Sequence, residues 1–482
     1  MNQNPNKDTR KKYRFLFITV LLLVLIAIIF AVLLALGVLR LGKNTREDPD
    51  TRDPAAPTAG TTEDTTTPAT ETAEGGRVDP KIIEHMAPAT EVPGLTITDE
   101  MLEKGILNEG NPSRLMGVME RAARGEEITI AYLGGSITAG SSASPQDKKC
   151  YAALSTAWWN DTFPEAKINY VNAGIGATDS WLGVHRVTDD VLSHAPDLVI
   201  VEFAVNDEGD ETKGEFFDSL VRKIYNSPQK PAVVLIYSVF VDGYNLQDRL
   251  KCVGEAYNLP MVSIKDAVYE QFYLDTENGG VVSKNRYFYD MYHPTNVGHR
   301  IMADGLIHMF RTADASEDAE DLDITDIKPP KGGEFENVYL VDRHNIDRCP
   351  CVIRYDCGAF TGDSKELQNV ERDLDLQATP EFTGNWLYEP GNAGEAVFRA
   401  RIRCSAVMIG YMDAASPEVG CAEVYVDGEK VLTIDPHKIG WQHCNAYIAF
   451  RGGPSAERDI EIRMAEQDKD KRFTFLGFGV VD

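Results

Sequence analysis

Between residues 128 and 310, short apolar runs alternate with stretches of helical periodicity, and this alternation limits the fold more than any other feature. Runs rich in β-branched residues occur at Thr129–Leu133, Ile168–Asn172, Asp197–Val205, Ala232–Phe240 and Met261–Ile264 and read as buried strands. Between them, Cys150–Phe163, Asp179–Ser193, Glu215–Tyr225 and Asn245–Tyr257 read as helices, and Thr295–Phe310 as a last one. On the second of these, Trp181, Val184, Val187, Val191 and Leu192 share one face. Leu115–Ala123 has helical periodicity before the first strand, with Asn111-Pro112-Ser113 as its start. Strands alternating with helices dictate a parallel sheet covered on both faces. Ligands bind such sheets beyond the carboxyl ends of the strands, so chemistry is expected in the loops that follow them.

The flanking segments read differently. Lys7, Arg10, Lys11, Lys12 and Arg14 make a basic tail over residues 1–14. Residues 15–39 are apolar except for Thr19 and Gly37, long enough for a transmembrane helix, which takes about 20 residues. The rival is a cleaved secretory signal, with Ala35-Leu36-Gly37 as its cleavage site, but such signals have apolar cores of only about 7–15 residues. The denser positive charge before the helix puts the N-terminus in the cytoplasm and the rest outside. The expected location is therefore the cell membrane, single-pass, with the catalytic domain extracellular. Residues 40–92, rich in Thr, Pro, Asp and Glu, read as an unfolded stalk. Residues 97–312 hold the α/β domain and 313–334 an acidic linker that includes Asp314–Asp326. From Phe335 to the end, short alternating strands appear at Ala396–Ile402, Val407–Tyr411, Ala422–Val426 and Asp459–Met464, with an Asp427-Gly428 hairpin turn. Residues 335–482 therefore read as an all-β sandwich.

Composition removes some functions. The net charge of −27 argues against a nucleic-acid partner, whose phosphates want a basic surface. The 8 cysteines form no CxxC pair, so a zinc site is not expected. Disulfides are possible if the last third of the chain is outside the cell, but spacing does not give their pairing.

Four loops after strands carry the chemistry. Gly134-Gly135-Ser136 follows the first strand and Asn172-Ala173-Gly174-Ile175-Gly176-Ala177-Thr178 the second. Asn206-Asp207 ends the third, and Asp290-Met291-Tyr292-His293-Pro294 leads into the last helix. Alone, Gly-Gly-Ser is a turn. Together the loops supply what ester hydrolysis needs. Ser136 is a weak nucleophile that requires a base; His293 suits that role, and Asp290 can fix its tautomer. The backbone N–H of Ser136, an N–H from Gly176 or Ala177 and the amide of Asn206 can receive an oxyanion.

In this set and order the chain resembles the SGNH (GDSL-type) hydrolase superfamily. Ser136 in G-G-S-I-T matches the first block, 172–178 the second, Asn206 in A-V-N-D the third and Asp290-x-x-His293-Pro294 the fifth. The resemblance implies a flavodoxin-like sheet sandwiched by helices, catalytic Ser136, Asp290 and His293, and no metal or organic cofactor. Two departures stand out. Gly135 replaces the aspartate of the name motif, a variant resembling carbohydrate O-acetylesterases. In the second block, the family's donor glycine aligns with Gly176 or, more strictly, with Ala177. An α/β-hydrolase is a rival reading, but Thr138 stands where G-x-S-x-G needs its last glycine.

The expected activity is removal of O-acetyl or other short acyl groups from a carbohydrate, by an enzyme tethered to the membrane. The partners expected are an acylated polysaccharide or a small ester substrate. A lipase, thioesterase or acyltransferase with the same triad is the alternative, as is a non-catalytic sugar-binding surface protein. His299 reads as surface or packing, His185 and Arg186 as helix residues with Arg186 in a salt bridge, Asp207 as a loop cap and Glu202 as a structural hydrogen-bonding group. Trp158, Trp159 and Trp181 read as core. Trp386, Tyr388, Trp441 and His443 read as core before they read as a sugar-stacking face.

Overall fold

The inner strands of the α/β sheet bury both of their faces, and the sheet forms two apolar cores as a result. The computed structural model describes residues 97–366, 382–440 and 442–482. Its first half contains α1 (Asp99–Lys104), β1 (Ile106–Asn108), α2 (Ser113–Ala123), β2 (Glu127–Gly134), α3 (Ser136–Ala139), α4 (Gln146–Lys149), α5 (Tyr151–Thr162) and β3 (Lys167–Gly174). Then come α6 (Ser180–Asp190), β4 (Leu198–Glu202), α7 (Glu215–Tyr225), β5 (Ala232–Tyr237), α8 (Gln247–Ala256), β6 (Met261–Ser263), α9 (Ile264–Val268), α10 (Lys284–Tyr287) and α11 (Asn296–Asp314). The sheet order is β1-β6-β5-β4-β2-β3, parallel except for β1. Its parallel strands follow the flavodoxin order, with the topological switch between β2 and β4. The period of two is visible in the packing. Ile130, Tyr132, Ile200, Val234 and Ile236 enter one core under α2, α5 and α11. Ala131, Leu133, Val199, Val201, Val233 and Leu235 enter the other under α6, α7 and α8.

The bounds expected for α7, Glu215–Tyr225, are those observed, and the start expected for α6 holds because its cap is explicit. Asp179 caps α6, accepting a hydrogen bond from Leu182 N–H at 3.2 Å. The strand expected over 197–205 ends at Glu202, because the chain turns at Phe203–Asn206, where Asn206 N–H bonds Phe203 O at 3.1 Å. The helix expected to reach Ser193 ends at Asp190. The acidic run after α11 is mostly exposed but pinned to the α/β half at two points. Arg114 grips Asp321 at 2.7 and 3.2 Å, and Ile324 is fully buried.

The second half is antiparallel. Its strands are β7 (Tyr339–Val341), β8 (Val352–Asp356), β9 (Trp386–Tyr388), β10 (Val397–Asp413), β11 (Ala422–Val426), β12 (Glu429–Ile434), β13 (His443–Met464) and β14 (Phe473–Val481). The β-sandwich has one continuous ladder, because β10 and β13, 17 and 22 residues long, pair along nearly their whole lengths. The hairpin turn is as expected, with Asp427 and Gly428 both at positive φ, 51° and 84°. Val407, Ile409 and Tyr411 point into the sandwich core. Ala406, Met408 and Met412 point the other way, into the second core of the α/β half. The two halves therefore share a core. At their contact His185 lies against Gly479, where a Cβ would stand 1.8 Å from its Nε2.

Among the described residues no helix is long and apolar enough to cross a membrane. The tail 1–14, the anchor expected at 15–39 and the stalk 40–92 lie outside the described residues, as does Trp441. Among the described residues no disulfide links the cysteines.

Candidate active site

The switch point of the sheet gathers the four loops. Ser136 opens α3 directly beyond β2, half-buried. Its N–H lies at the first position of that turn, where no intrahelical partner exists. The preceding turn is tied down from below. Gly134 O accepts from Ile175 N–H at 3.1 Å and from an Arg186 Nη2 at 3.0 Å. Arg186 also donates to Ala173 O at 2.7 Å and to Asp190 at 2.9 Å, so one buried guanidinium clamps the ends of β2 and β3.

His293 arrives from the opposite side, on the loop before α11. Its Nε2 lies 2.9 Å from Ser136 Oγ and its Nδ1 2.8 Å from Asp290 Oδ2. Asp290 Oδ1 accepts from the N–H groups of Tyr292 and His293, both at 2.7 Å. Burial alone would raise the Asp290 pKa. The hydrogen bond and charge of His293, with the two N–H donors, outweigh burial and hold it below the ordinary carboxylate value. An ionised Asp290 only accepts, so Nδ1 carries the proton and Nε2 is left to accept from the serine hydroxyl. Thr295 caps the next helix, its Oγ1 receiving Val297 and Gly298 N–H at 3.2 Å each. That cap fixes the chain two residues beyond His293.

Asn206 follows β4 beside β2. A Cβ on Gly135 would stand 2.7 Å from its Oδ1 and 3.0 Å from its Cγ and Nδ2. The Asn206 amide thus fills the space a side chain at 135 would need, and this is a physical reason for the Gly-Gly-Ser spelling. In the 172–178 loop, Ala177 takes φ +59°, the left-handed conformation that penalises a Cβ, whereas Gly176 does not have positive φ. The second expected donor loop therefore holds a strained alanine.

The other expected residues separate cleanly. His299 is fully buried, receiving Tyr151 N–H on Nδ1 at 3.3 Å with Nε2 3.1 Å from Ser141 O, so it packs and is not on the surface. Burial lowers its pKa, and that of His185, to about 4. Asp207 Oδ1 receives Ser180 N–H at 2.7 Å and so ties the loop after β4 to the start of α6. Burial pushes its pKa up to about 7. Glu202 is fully buried against Ser238 and Thr138, with its pKa pushed to about 7 by the same cause. Trp159 and Trp181 are buried, and Trp158 packs against the core. In the β half Trp386, Tyr388 and His443 are buried, and Trp386 stacks on Phe475 at 5.2 Å, so they form no sugar-stacking face. The Arg186 clamp is the functional feature that sequence reasoning missed, since its carbonyl acceptors lie 52 and 13 residues away.

Residues 132–301 match the family of GDSL-like lipases and acylhydrolases. This stretch is an SGNH (GDSL-type) hydrolase domain resembling carbohydrate esterases, and the chain is an ester-hydrolysing enzyme. Among solved structures, a two-domain esterase active on acetylated mannans, co-crystallised with mannopentaose, is similar at 28% identity and a TM-score of 0.66. That likeness covers 79% of this chain and 98% of the other, so it spans both halves. A second structure described as a two-domain esterase active on acetylated mannans gives the same identity and TM-score and is covered to 99%. A comparison with curated proteins finds no match.

Proposed function

We propose that this chain removes O-acetyl groups from a polysaccharide through Ser136, His293 and Asp290. The carrying observation is the hydrogen-bonded line from Ser136 Oγ through His293 to Asp290, at 2.9 and 2.8 Å. In this mechanism Ser136 Oγ attacks the acetyl carbonyl while His293 Nε2 takes its proton. Asp290 holds the imidazole and stabilises its charged form. The oxyanion is received by Ser136 N–H, the Asn206 amide and an N–H of the Gly176-Ala177 turn, each worth roughly 3 kcal/mol in the transition state. Collapse expels the sugar alkoxide, which takes the proton from His293. Water then enters and its oxygen attacks the acyl carbonyl while His293 takes its proton; the second collapse breaks the bond to Ser136 Oγ, which takes the proton back from His293 as acetate leaves.

The substrate class rests on the likeness to the mannan-active esterases, so acetylated mannan is the first substrate to try. The apolar run 15–39 and the stalk support an enzyme anchored in the cell membrane with this domain outside. An acyl-length series on one chromophore tests the acyl preference. The proposal expects acetyl to be the best substrate; faster turnover of acyl groups of eight carbons or more would instead make the enzyme a lipase.

A further inference from the structure

Met291 and Tyr292, between Asp290 and His293, are 48% and 50% exposed, unusual for large apolar side chains held in a fixed loop. The loop is held by Tyr292 N–H on Asp290 at 2.7 Å and by Val241 N–H on Met291 O at 3.1 Å. The Tyr292 ring meets the Phe240 ring edge-on at 5.0 Å, and Phe240 stacks on Tyr244 at 5.8 Å. These rings form a wall supplied by two loops, the one after β5 and the one before α11. Tyr292 lies 6.1 Å from the His293 ring, centroid to centroid.

The position of the wall decides what it touches. The imidazole that takes the serine proton must deliver it to the departing alkoxide, so the leaving alcohol lies on the imidazole side of the site. A wall beside the imidazole therefore meets the alcohol and not the acyl chain. A half-exposed aromatic ring fits a partner with one apolar C–H face and hydroxyls left in water. A pyranose ring has that shape; a lipid alcohol would call for an enclosed apolar channel. We infer that Tyr292, with Phe240 and Met291, is a leaving-group subsite that seats a neutral pyranose and sets the preference for sugar esters over esters of small alcohols. The inference rests on the ester-hydrolysis reading above.

The test compares kcat/KM for acetylated mannan oligosaccharides and for ethyl acetate, by acetate release from the full chain and from Tyr292→Ala and Tyr292→Phe. The ratio of the two values is expected to fall about tenfold or more in Y292A, through KM for the oligosaccharide, and to survive in Y292F. An unchanged ratio in Y292A, or an equal loss on both substrates, overturns the subsite. A wild-type chain that hydrolyses ethyl acetate with no preference for the oligosaccharide also overturns it, while leaving the esterase reading intact. A wild-type chain that hydrolyses neither overturns both.

Discussion

In the proposed mechanism, Ser136 attacks only as fast as His293 can take its proton, and Asp290 decides which imidazole nitrogen is free to do so. Asp290→Asn keeps the shape but presents a donor as readily as an acceptor to Nδ1. The expected outcome is a fall in kcat of about 10⁴ with the fold intact, read on an acetyl ester beside a thermal melt. A fall of less than tenfold would remove Asp290 from the mechanism. Ala177 makes a different kind of statement. Its φ of +59° costs roughly 1 kcal/mol relative to glycine, partly offset by the entropy a glycine adds to the unfolded chain. Ala177→Gly is expected to hold or raise stability by up to about 1 kcal/mol in urea unfolding. A loss of more than 1 kcal/mol would show that the methyl group is packed and not strained.

At the scale of elements, β4 carries a carboxyl where a strand would ordinarily carry an aliphatic residue. Glu202 has its pKa raised by burial to about 7, above the ordinary value of 4.5. A raised carboxyl favours the folded state while protonated. Its contribution is full below about pH 4.5 and is lost as the pH rises to about 7. Glu202→Gln stays neutral throughout. The stability difference between pH 5 and pH 7 is expected to shrink by about 2 kcal/mol in the variant, measured by urea unfolding. Asp207, raised to about 7 as well, leaves a residual slope. An unchanged difference would mean that Glu202 is ionised in the fold. How legible each element was follows from its apolar pattern. The parallel strands stood out because helical stretches separate their short, mostly apolar runs, and α7 because one of its faces is apolar. β14 did not, since Thr474, Gly477 and Gly479 break up its apolar run and it shows no clean alternation. α1 and β1 are too short for periodicity to register. The site residues were readable because Ser136 and Asn206 follow strands, and Asp290 and His293 precede the last helix, each in a recognisable spelling, whereas the Arg186 clamp exists only through distant carbonyls.

Across the whole molecule, the β-sandwich is a wall of the hydrolase core. Phe335 is fully buried and stacks on Phe216 of α7 at 4.3 Å, with the Arg451 guanidinium of β13 at 4.9 Å from its ring. Arg451 also reaches Glu215 at 2.9 Å, and Ile448 N–H bonds Glu211 at 3.3 Å. A core shared in this way predicts one cooperative unfolding transition for both halves. Phe335→Ala is expected to cost about 3–5 kcal/mol and to lower that single transition. Two independent transitions in the unmodified protein would contradict the shared core.

The central claim is that Ser136 carries out the removal of acetyl groups from a glycan. Acetate release from acetylated mannan, measured for the unmodified chain and for Ser136→Ala, tests it most directly. The account predicts steady release by the first and a loss of about 10⁵–10⁶ in kcat for the second, which keeps its fold. Release that persists in the variant at a comparable rate would contradict it.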